Sequence, residues 1–144
     1  MEPNSKTPQA QSQKISEFAD QSEDKLIRMK TKFPFKLRAH YLIIGRNKIS
    51  YIQRFGFKNE KITSINIEDV LNVDVYLTTI MGALRLRTRF YSKQPLEVTH
   101  LSRKDALRAK QLIQGLVVCR EKGIEIDKVP RADLLIQLER IGKA

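Results

Sequence analysis

The amino-acid sequence predicts a mainly β domain closed by one C-terminal amphipathic helix, with an extra helix after it. From Leu37 to Leu101, apolar residues recur at about every second position, the period of strands with one buried face. After Ser102 they recur every three or four positions, the period of an α-helix. A length of 144 residues is sufficient for one such domain with its own core.

Six or seven short strands are predicted, separated by turn residues at regular spacing. The first two form a hairpin around residues 45–48, because glycine and asparagine favour tight turns. Gly56 interrupts the aromatic pair Phe55 and Phe57, as a bulge or bend does. This order favours an antiparallel meander that closes into a barrel or a sandwich. The predicted strands cover residues 36–43, 49–53, 61–67, 70–78, 84–89 and 96–101.

The first predicted helix has recognisable ends. Ser102 and Asp105 have the spacing of a capping box, and Gly123 has the chemistry of a helix C-terminus. Gly115 within this helix costs about 1 kcal/mol relative to alanine, which we interpret as a place where the helix backbone lies close to the sheet. The apolar stripe consists of Ala109, Leu112, Ile113, Leu116 and Val117.

A second helix is predicted to start at Pro130, since proline suits a first helical position. Its apolar face consists of Leu134, Leu135, Leu138 and Ile141. This face must be covered, either by the chain's own β domain or by the groove of a partner or a second copy. The second alternative makes these four residues a partner-binding face and the chain a self-assembling scaffold.

Three segments follow from these elements. Residues 1–32 are predicted as an acidic, largely disordered tail, because residues 1–14 are polar and contain no apolar cluster. A short helix is predicted within this tail from the spacing of Ile15, Phe18, Ser22, Leu26 and Met29. Residues 33–122 form the β domain with its closing helix, and residues 123–144 form a linker and the last helix.

Residues 36–118 resemble the bacterial pleckstrin-homology-like (PH-like) domain family. The likeness is carried by the hairpin Tyr41-Leu42-Ile43-Ile44-Gly45-Arg46-Asn47-Lys48-Ile49, by residues 62–75, by Gly82-Ala83-Leu84-Arg85-Leu86-Arg87-Thr88 and by the helix at 105–118. The resemblance implies a PH-like antiparallel β-barrel of six to seven strands capped by one helix. It also implies a binding module for lipids or peptides, and bacterial relatives often lie near membranes or self-associate. The usual phosphoinositide spacing of lysine and arginine is not matched.

The charge pattern points to an anionic partner. The net charge is +11, and residues 1–24 hold two cations against five acids, which is −3, so residues 25–144 carry +14. No acidic residue occurs from Lys25 to Lys58. We expect the anion-facing surface to consist first of Lys36, Arg38, Arg46, Lys48 and Arg54, and second of Arg85, Arg87 and Arg89. The acidic tail is a candidate competitor for this basic surface.

The predicted partner is an anionic membrane surface or an acidic protein, with a cytoplasmic location and peripheral association at the inner face of the membrane. Nucleic acid is the rival, since Tyr76, Phe90 and Tyr91 could stack on bases beside the arginines. No catalytic motif, cofactor site or small-molecule substrate is expected. His40 and His100 are interpreted as strand residues and Cys119 as a small hydrophobe, and these three residues are too few for a zinc site.

Overall fold

The computed structural model describes residues 25–32, 39–89 and 94–143. The strands are β1 (Lys25–Lys30), β2 (Tyr41–Gly45), β3 (Lys48–Phe55), β4 (Asn59–Asn66), β5 (Val70–Leu77), β6 (Met81–Thr88) and β7 (Leu96–Ser102). The helices are α1 (Arg103–Glu121) and α2 (Arg131–Ile141), and a turn of 3-10 helix, Ile67–Asp69, joins β4 to β5. The predicted mainly β fold with two C-terminal helices is confirmed at this level.

Strands β1 to β4 form an antiparallel sheet in sequence order. Ile49 lies opposite both Ile44 and Ile65, and all three side chains are at most 5% exposed, so this face is the inner one. The adjacent row of Ile43 and Ser50 points to the outer face and is partly exposed. The two-residue alternation of the sequence therefore gives the sheet one face in the core and one towards solvent.

Strands β5 to β7 form a second antiparallel sheet, also in sequence order. Leu86 lies opposite Val73 and Leu96, and Leu84 lies opposite Val98. Leu84, Leu86 and Val98 have no accessible surface. The buried side chains of both sheets and of α1 belong to one hydrophobic cluster, so the two inner faces share a core.

The two sheets do not join into the predicted closed barrel within the described residues. β1 and β4 are the edges of the first sheet, and β5 and β7 are the edges of the second. The physical reason is the 3-10 turn after Asn66, which redirects the chain so that β5 leaves β4 instead of pairing with it. A backbone hydrogen bond from Lys32 N–H to His100 O, at 2.7 Å, ties the end of β1 to β7 across this arrangement.

Helix α1 begins where the sequence predicts it. The Asp105 N–H donates to Ser102 Oγ at 3.1 Å, which satisfies one of the backbone donors left free at a helix start. Further along the helix, Ala109, Leu112 and Leu116 are at most 1% exposed. The helix contacts β5, β6 and the 3-10 turn, so its apolar stripe covers the shared core.

Helix α2 packs against α1. Leu134 and Leu138 are 2% and 0% exposed, and Leu135 and Ile141 are partly buried against the same core. Within this chain, Leu134 and Leu138 are therefore already covered, and Leu135 and Ile141 are the members of the predicted partner-binding face that keep some exposure. The salt bridge from Arg108 Nε to Glu139 Oε1 also joins the two helices, at 2.5 Å.

Gly115 allows the two helices to approach closely. A Cβ atom at this position would lie 2.5 Å from the carbonyl oxygen of Leu138, and a Cβ at Gly142 would clash with the backbone of Gln111. The expectation that Gly115 lies against the sheet is therefore wrong. The backbone that comes this close to Gly115 is that of α2, and a side chain at position 115 would prevent this approach.

Residues 25–30 form strand β1, so the predicted short helix is wrong in this part. The register with β2 shifts between Lys25 and Ile27, and this irregularity lets both Leu26 and Met29 reach the core. Their three-residue spacing imitates a helix for that reason. The rest of that helix and the predicted tail, residues 1–24, and the start of the first predicted strand, residues 36–38, lie outside the described residues.

Candidate anion-binding surface

Positive charge is concentrated in the segment that builds the four-stranded sheet. Residues 25–66 contain eleven lysines and arginines, and Glu60 is their only acidic residue. Like charges repel across so small a structure, which favours a nearby anion that offsets them. The sheet therefore has the electrostatic character expected of an anion-binding surface.

The turn between β3 and β4 exposes two aromatic side chains beside this charge. Gly56 has a φ of 55°, the left-handed region that glycine adopts without a steric penalty. Phe57 is 79% exposed and Phe55 is 47% exposed. The Nζ atom of Lys58 lies 5.9 Å from the centroid of the Phe57 ring. We call residues 55–58 the hairpin tip; it presents apolar area and a cation together.

Arg54 lies next to the hairpin tip and has two neighbours. Its Nε atom is 3.0 Å from Glu60 Oε1, in an ion pair whose side chains are 38% and 44% exposed. Its guanidinium also lies 5.2 Å from the Tyr41 ring, which Arg28 approaches to 4.1 Å. An exposed ion pair contributes at most about 1 kcal/mol, so Arg54 can exchange Glu60 for an external anion at small cost.

A cavity of about 310 Å³ lies between the two sheets close to the hairpin tip. Its exposed members include Lys61 and Gln94, whereas Ile65 and Thr88 are buried. Among the described residues, Thr88 Oγ1 has no hydrogen-bond partner, and Gln53 lies opposite Lys61 across the β3–β4 ladder. The ammonium group of Lys61 and the side-chain amides of Gln53 and Gln94 line this opening, and they suit a ligand with a polar or anionic group. The cavity is lined by Gln53, Lys61, Thr63, Ile65, Thr88, Gln94, Pro95 and Leu96.

Of the five cations that the sequence placed first, the structure describes Arg46, Lys48 and Arg54. Lys36 and Arg38 lie outside the described residues, between Lys32 and Ala39. Lys48 is exposed at the start of β3, six residues before Arg54, which is about 20 Å along a strand. Arg54 is therefore the member of this group that the structure places beside the hairpin tip.

Arg46 is buried against the helical part of the chain. Its side chain is 6% exposed, and its Nη1 atom donates a hydrogen bond to Ile126 O in the connection between α1 and α2. The β2–β3 turn that carries it also contacts α1, because Arg120 Nη2 donates to Asn47 Oδ1 at 2.8 Å. This turn packs against the helical part of the chain, so Arg46 is buried there and is not among the exposed cations.

The three arginines placed second lie on or after β6, in a surface of mixed charge. Arg85 is opposite both Asp74 and Glu97, and its Nη2 atom is 3.8 Å from Glu97 Oε1. Arg87 and Arg89 are exposed. Acidic neighbours on both sides of Arg85 reduce the positive potential of this face relative to the four-stranded sheet.

The reactive side chains are held by packing and hydrogen bonds. His40 Nδ1 accepts a hydrogen bond from the Arg54 N–H at 2.9 Å, and desolvation, followed by the charge of His100, lowers the pKa of its imidazole. Burial raises the pKa of the Cys119 thiol, which keeps it protonated and poorly nucleophilic. In the described ranges, no group of three or more His, Cys, Asp and Glu side chains is placed to hold a metal ion.

Sequence reasoning missed the contribution of β1 and of the hairpin tip. Lys25, Arg28 and Lys30 were assigned to the tail, yet they belong to the four-stranded sheet. The signal was present in the acid-free run from Lys25 to Lys58, which coincides with the first three strands. Phe57 carried a weaker signal, an aromatic residue directly after a turn glycine.

No helix in the described part of the chain is long and apolar enough to span a bilayer. The sequence has no significant match among models of protein families or among curated proteins. The geometry of the hairpin tip and of the cations around it is therefore the best indication of function.

Proposed function

We propose that this chain is a non-catalytic binding module of PH-like fold that associates peripherally with an anionic membrane surface, through the hairpin tip and the cations beside it. Four antiparallel strands, three antiparallel strands and a helix, in that order, support the PH-like assignment. The location that fits this function is the cytoplasmic face of a membrane.

The observation that carries the proposal is Phe57, 79% exposed in a turn that also presents Lys58. An exposed aromatic ring gains free energy when it enters the interfacial region of a bilayer. Lysine beside it gains free energy from the negative surface potential of anionic lipids. The two effects act at the same place. Binding to an acidic protein or a nucleic acid would not require an exposed aromatic ring next to a cation.

The expected affinity is that of a reversible contact. Each cation near an anionic membrane contributes about 1 kcal/mol, and full burial of a phenylalanine side chain contributes about 1.5–3 kcal/mol. Lys58, Lys61 and Phe57 together therefore supply roughly 3.5–5 kcal/mol. High salt should weaken the cationic part of this energy and leave the apolar part.

Vesicle sedimentation tests the proposal. The full chain is mixed with vesicles of phosphatidylcholine alone and with vesicles that also contain phosphatidylglycerol. We expect binding to the anionic vesicles only. Phe57→Ser should reduce the partition coefficient about tenfold or more, and Lys58→Gln combined with Lys61→Gln should reduce it roughly 30-fold.

Two matched controls come from the other sheet. Ile80 is 76% exposed in the β5–β6 turn, so Ile80→Ser removes similar exposed apolar area away from the hairpin tip. Arg87→Gln removes an exposed cation from the face of mixed charge. Both variants should bind anionic vesicles as the unmodified chain does. Equal loss in the control variants, or equal binding to neutral vesicles, would overturn the proposal.

Nucleic acid and an acidic protein partner are the alternatives that the same samples can reveal. A random-sequence oligonucleotide bound with a strong salt dependence, together with no binding to anionic vesicles, would favour the nucleic-acid function. Binding to poly-glutamate that depends on Lys58 and Lys61 but not on Phe57, without vesicle binding, would favour an acidic protein.

A further inference from the structure

The outer face of the four-stranded sheet carries a groove that is distinct from the hairpin tip. The groove has a volume of about 220 Å³ and crosses all four strands. Ile43, Ile52 and Ile62 form its apolar part, and Ile62 is 62% exposed. The remaining lining residues are Lys25, Gly45, Lys48, Ser50 and Ser64. An apolar strip with lysines suits a segment that is both apolar and acidic.

The small residues explain the shape of this groove. Ser50 lies directly opposite both Ile43 and Ser64, and Gly45 lies opposite Lys25. Short side chains in these positions leave a depression beside the longer isoleucines of the neighbouring row, Ile52 and Ile62. A large apolar side chain could enter this depression and remove isoleucine surface from water.

The chain itself contains a segment of matching chemistry. Residues 15–24 hold four acidic residues and no lysine or arginine, and they also contain Ile15 and Phe18. They directly precede Lys25, which both begins β1 and lines the groove. The charge of the segment is therefore opposite to that of the two lysines at the groove.

The length of this segment is sufficient. Ten residues reach at most about 33 Å when extended, whereas four strands at a spacing of about 4.8 Å are roughly 14 Å wide. A tether this short gives an effective concentration in the millimolar range, so a weak contact is enough to populate the docked state.

We infer that residues 15–24 dock in cis on this groove, with Phe18 or Ile15 against the isoleucines and the carboxylates close to Lys25 and Lys48. The contact covers the exposed apolar strip and lowers the net charge of the sheet locally. It does not involve the hairpin tip, so it stands whether or not the chain binds membranes.

Paramagnetic broadening in the full chain tests this inference. A nitroxide label is attached at Ser16→Cys; Cys119 is buried with a raised thiol pKa and stays unlabelled. We expect the amide signals of Ile43, Ile52 and Ile62 to broaden several-fold more than those of Tyr76 and Ala83 on the other sheet. The difference should shrink at about 1 M salt, where the Debye length is about 3 Å.

Matched variants separate docking from simple proximity. Asp20→Asn combined with Glu23→Gln should reduce the broadening at the groove several-fold, whereas Glu2→Gln, outside the segment, should leave it unchanged. Equal broadening of both sheets, or no response to the neutralised carboxylates, would show that the segment does not dock. Broadening of isotope-labelled protein by a separate spin-labelled copy would show docking in trans and would overturn the cis contact.

Discussion

His40 makes the stability of the fold dependent on pH. Its Nδ1 atom accepts a hydrogen bond from the backbone N–H of Arg54, so protonation of this nitrogen removes the acceptor. Desolvation first, and the charge of His100 second, lower the pKa of the imidazole below its usual 6.5. The native state therefore binds fewer protons than the unfolded chain, and stability falls as the pH drops below about 6.5 towards the native pKa.

The test measures the urea concentration at the midpoint of unfolding at several pH values from about 7.5 to about 5.5. The unmodified chain should lose more stability over this range than His40→Asn, because asparagine retains an acceptor but does not titrate there. His100→Asn removes only the second cause of the lowered His40 pKa and suits the left-handed φ of 63° at this position, so it should reduce the pH dependence less than His40→Asn does. A pH dependence unaffected by His40→Asn would contradict the assignment.

Individual side chains were the hardest feature to predict from the sequence. Arg46 follows a strand and precedes Asn47, as an exposed turn residue would, and nothing local indicates that it reaches Ile126. The contact joins residues 80 positions apart in the chain. Such a contact depends on where the helices lie, which periodicity alone does not determine.

Between helices α1 and α2, the absence of a Cβ at Gly115 determines the packing distance. By helix propensity alone, Gly115→Ala should stabilise α1 by about 1 kcal/mol. The new methyl group would lie 2.5 Å from Leu138 O and 3.0 Å from Leu138 Cα, and backbone cannot move aside as a flexible side chain can. We therefore expect a net destabilisation of about 1–2 kcal/mol, measured by urea denaturation.

A control on the same helix pair isolates this effect. Gln137 is exposed on α2, so Gln137→Ala should change the free energy of unfolding by less than about 0.5 kcal/mol. If Gly115→Ala instead raises the urea midpoint, the glycine does not limit the approach of the helices, and the packing described for α2 is wrong.

Strands and helices were predictable where one face is buried and regular. The alternation of Leu84 and Leu86 with Arg85 and Arg87 gives β6, and Ser102 with Asp105 gives the start of α1. β1 was missed because its irregular register changes the spacing of Leu26 and Met29 from two to three. The pairing of β1 with β2 identifies residues 25–30 as a strand, but the local sequence does not show which strands pair.

Over the whole molecule, the distribution of charge was more predictable than its arrangement in space. The excess of cations in residues 25–58 is visible in the sequence, and it coincides with strands β1 to β3 and the hairpin tip. Which cations lie close together was not predictable, because Lys48 and Arg54 lie at opposite ends of β3 and Arg46 is buried. The acids that neutralise Arg85 come from the neighbouring strands β5 and β7.

The first strand and the last helix of the described chain are connected, so we expect the domain to unfold as one unit. Arg131 Nε, at the start of α2, donates to Leu26 O in β1 at 2.8 Å, and Leu138 is fully buried against α1. Native-state hydrogen exchange should therefore give the slowest amides of β2 and of α2 the same free energy of opening.

Arg131→Ala should lower both free energies of opening equally, by about 1–2 kcal/mol, because it removes a charge-assisted hydrogen bond that ties α2 to the sheet. Arg140→Ala is the control: Arg140 is exposed in the last turn of the same helix, and its loss should change neither value by more than about 0.5 kcal/mol. The contrary result is a free energy of opening that, in the unmodified chain, is several kcal/mol lower for the amides of α2 than for those of β2. It would show that α2 detaches alone. In that case α2 would be an independent docking element after all, because its buried leucines would become available to a partner.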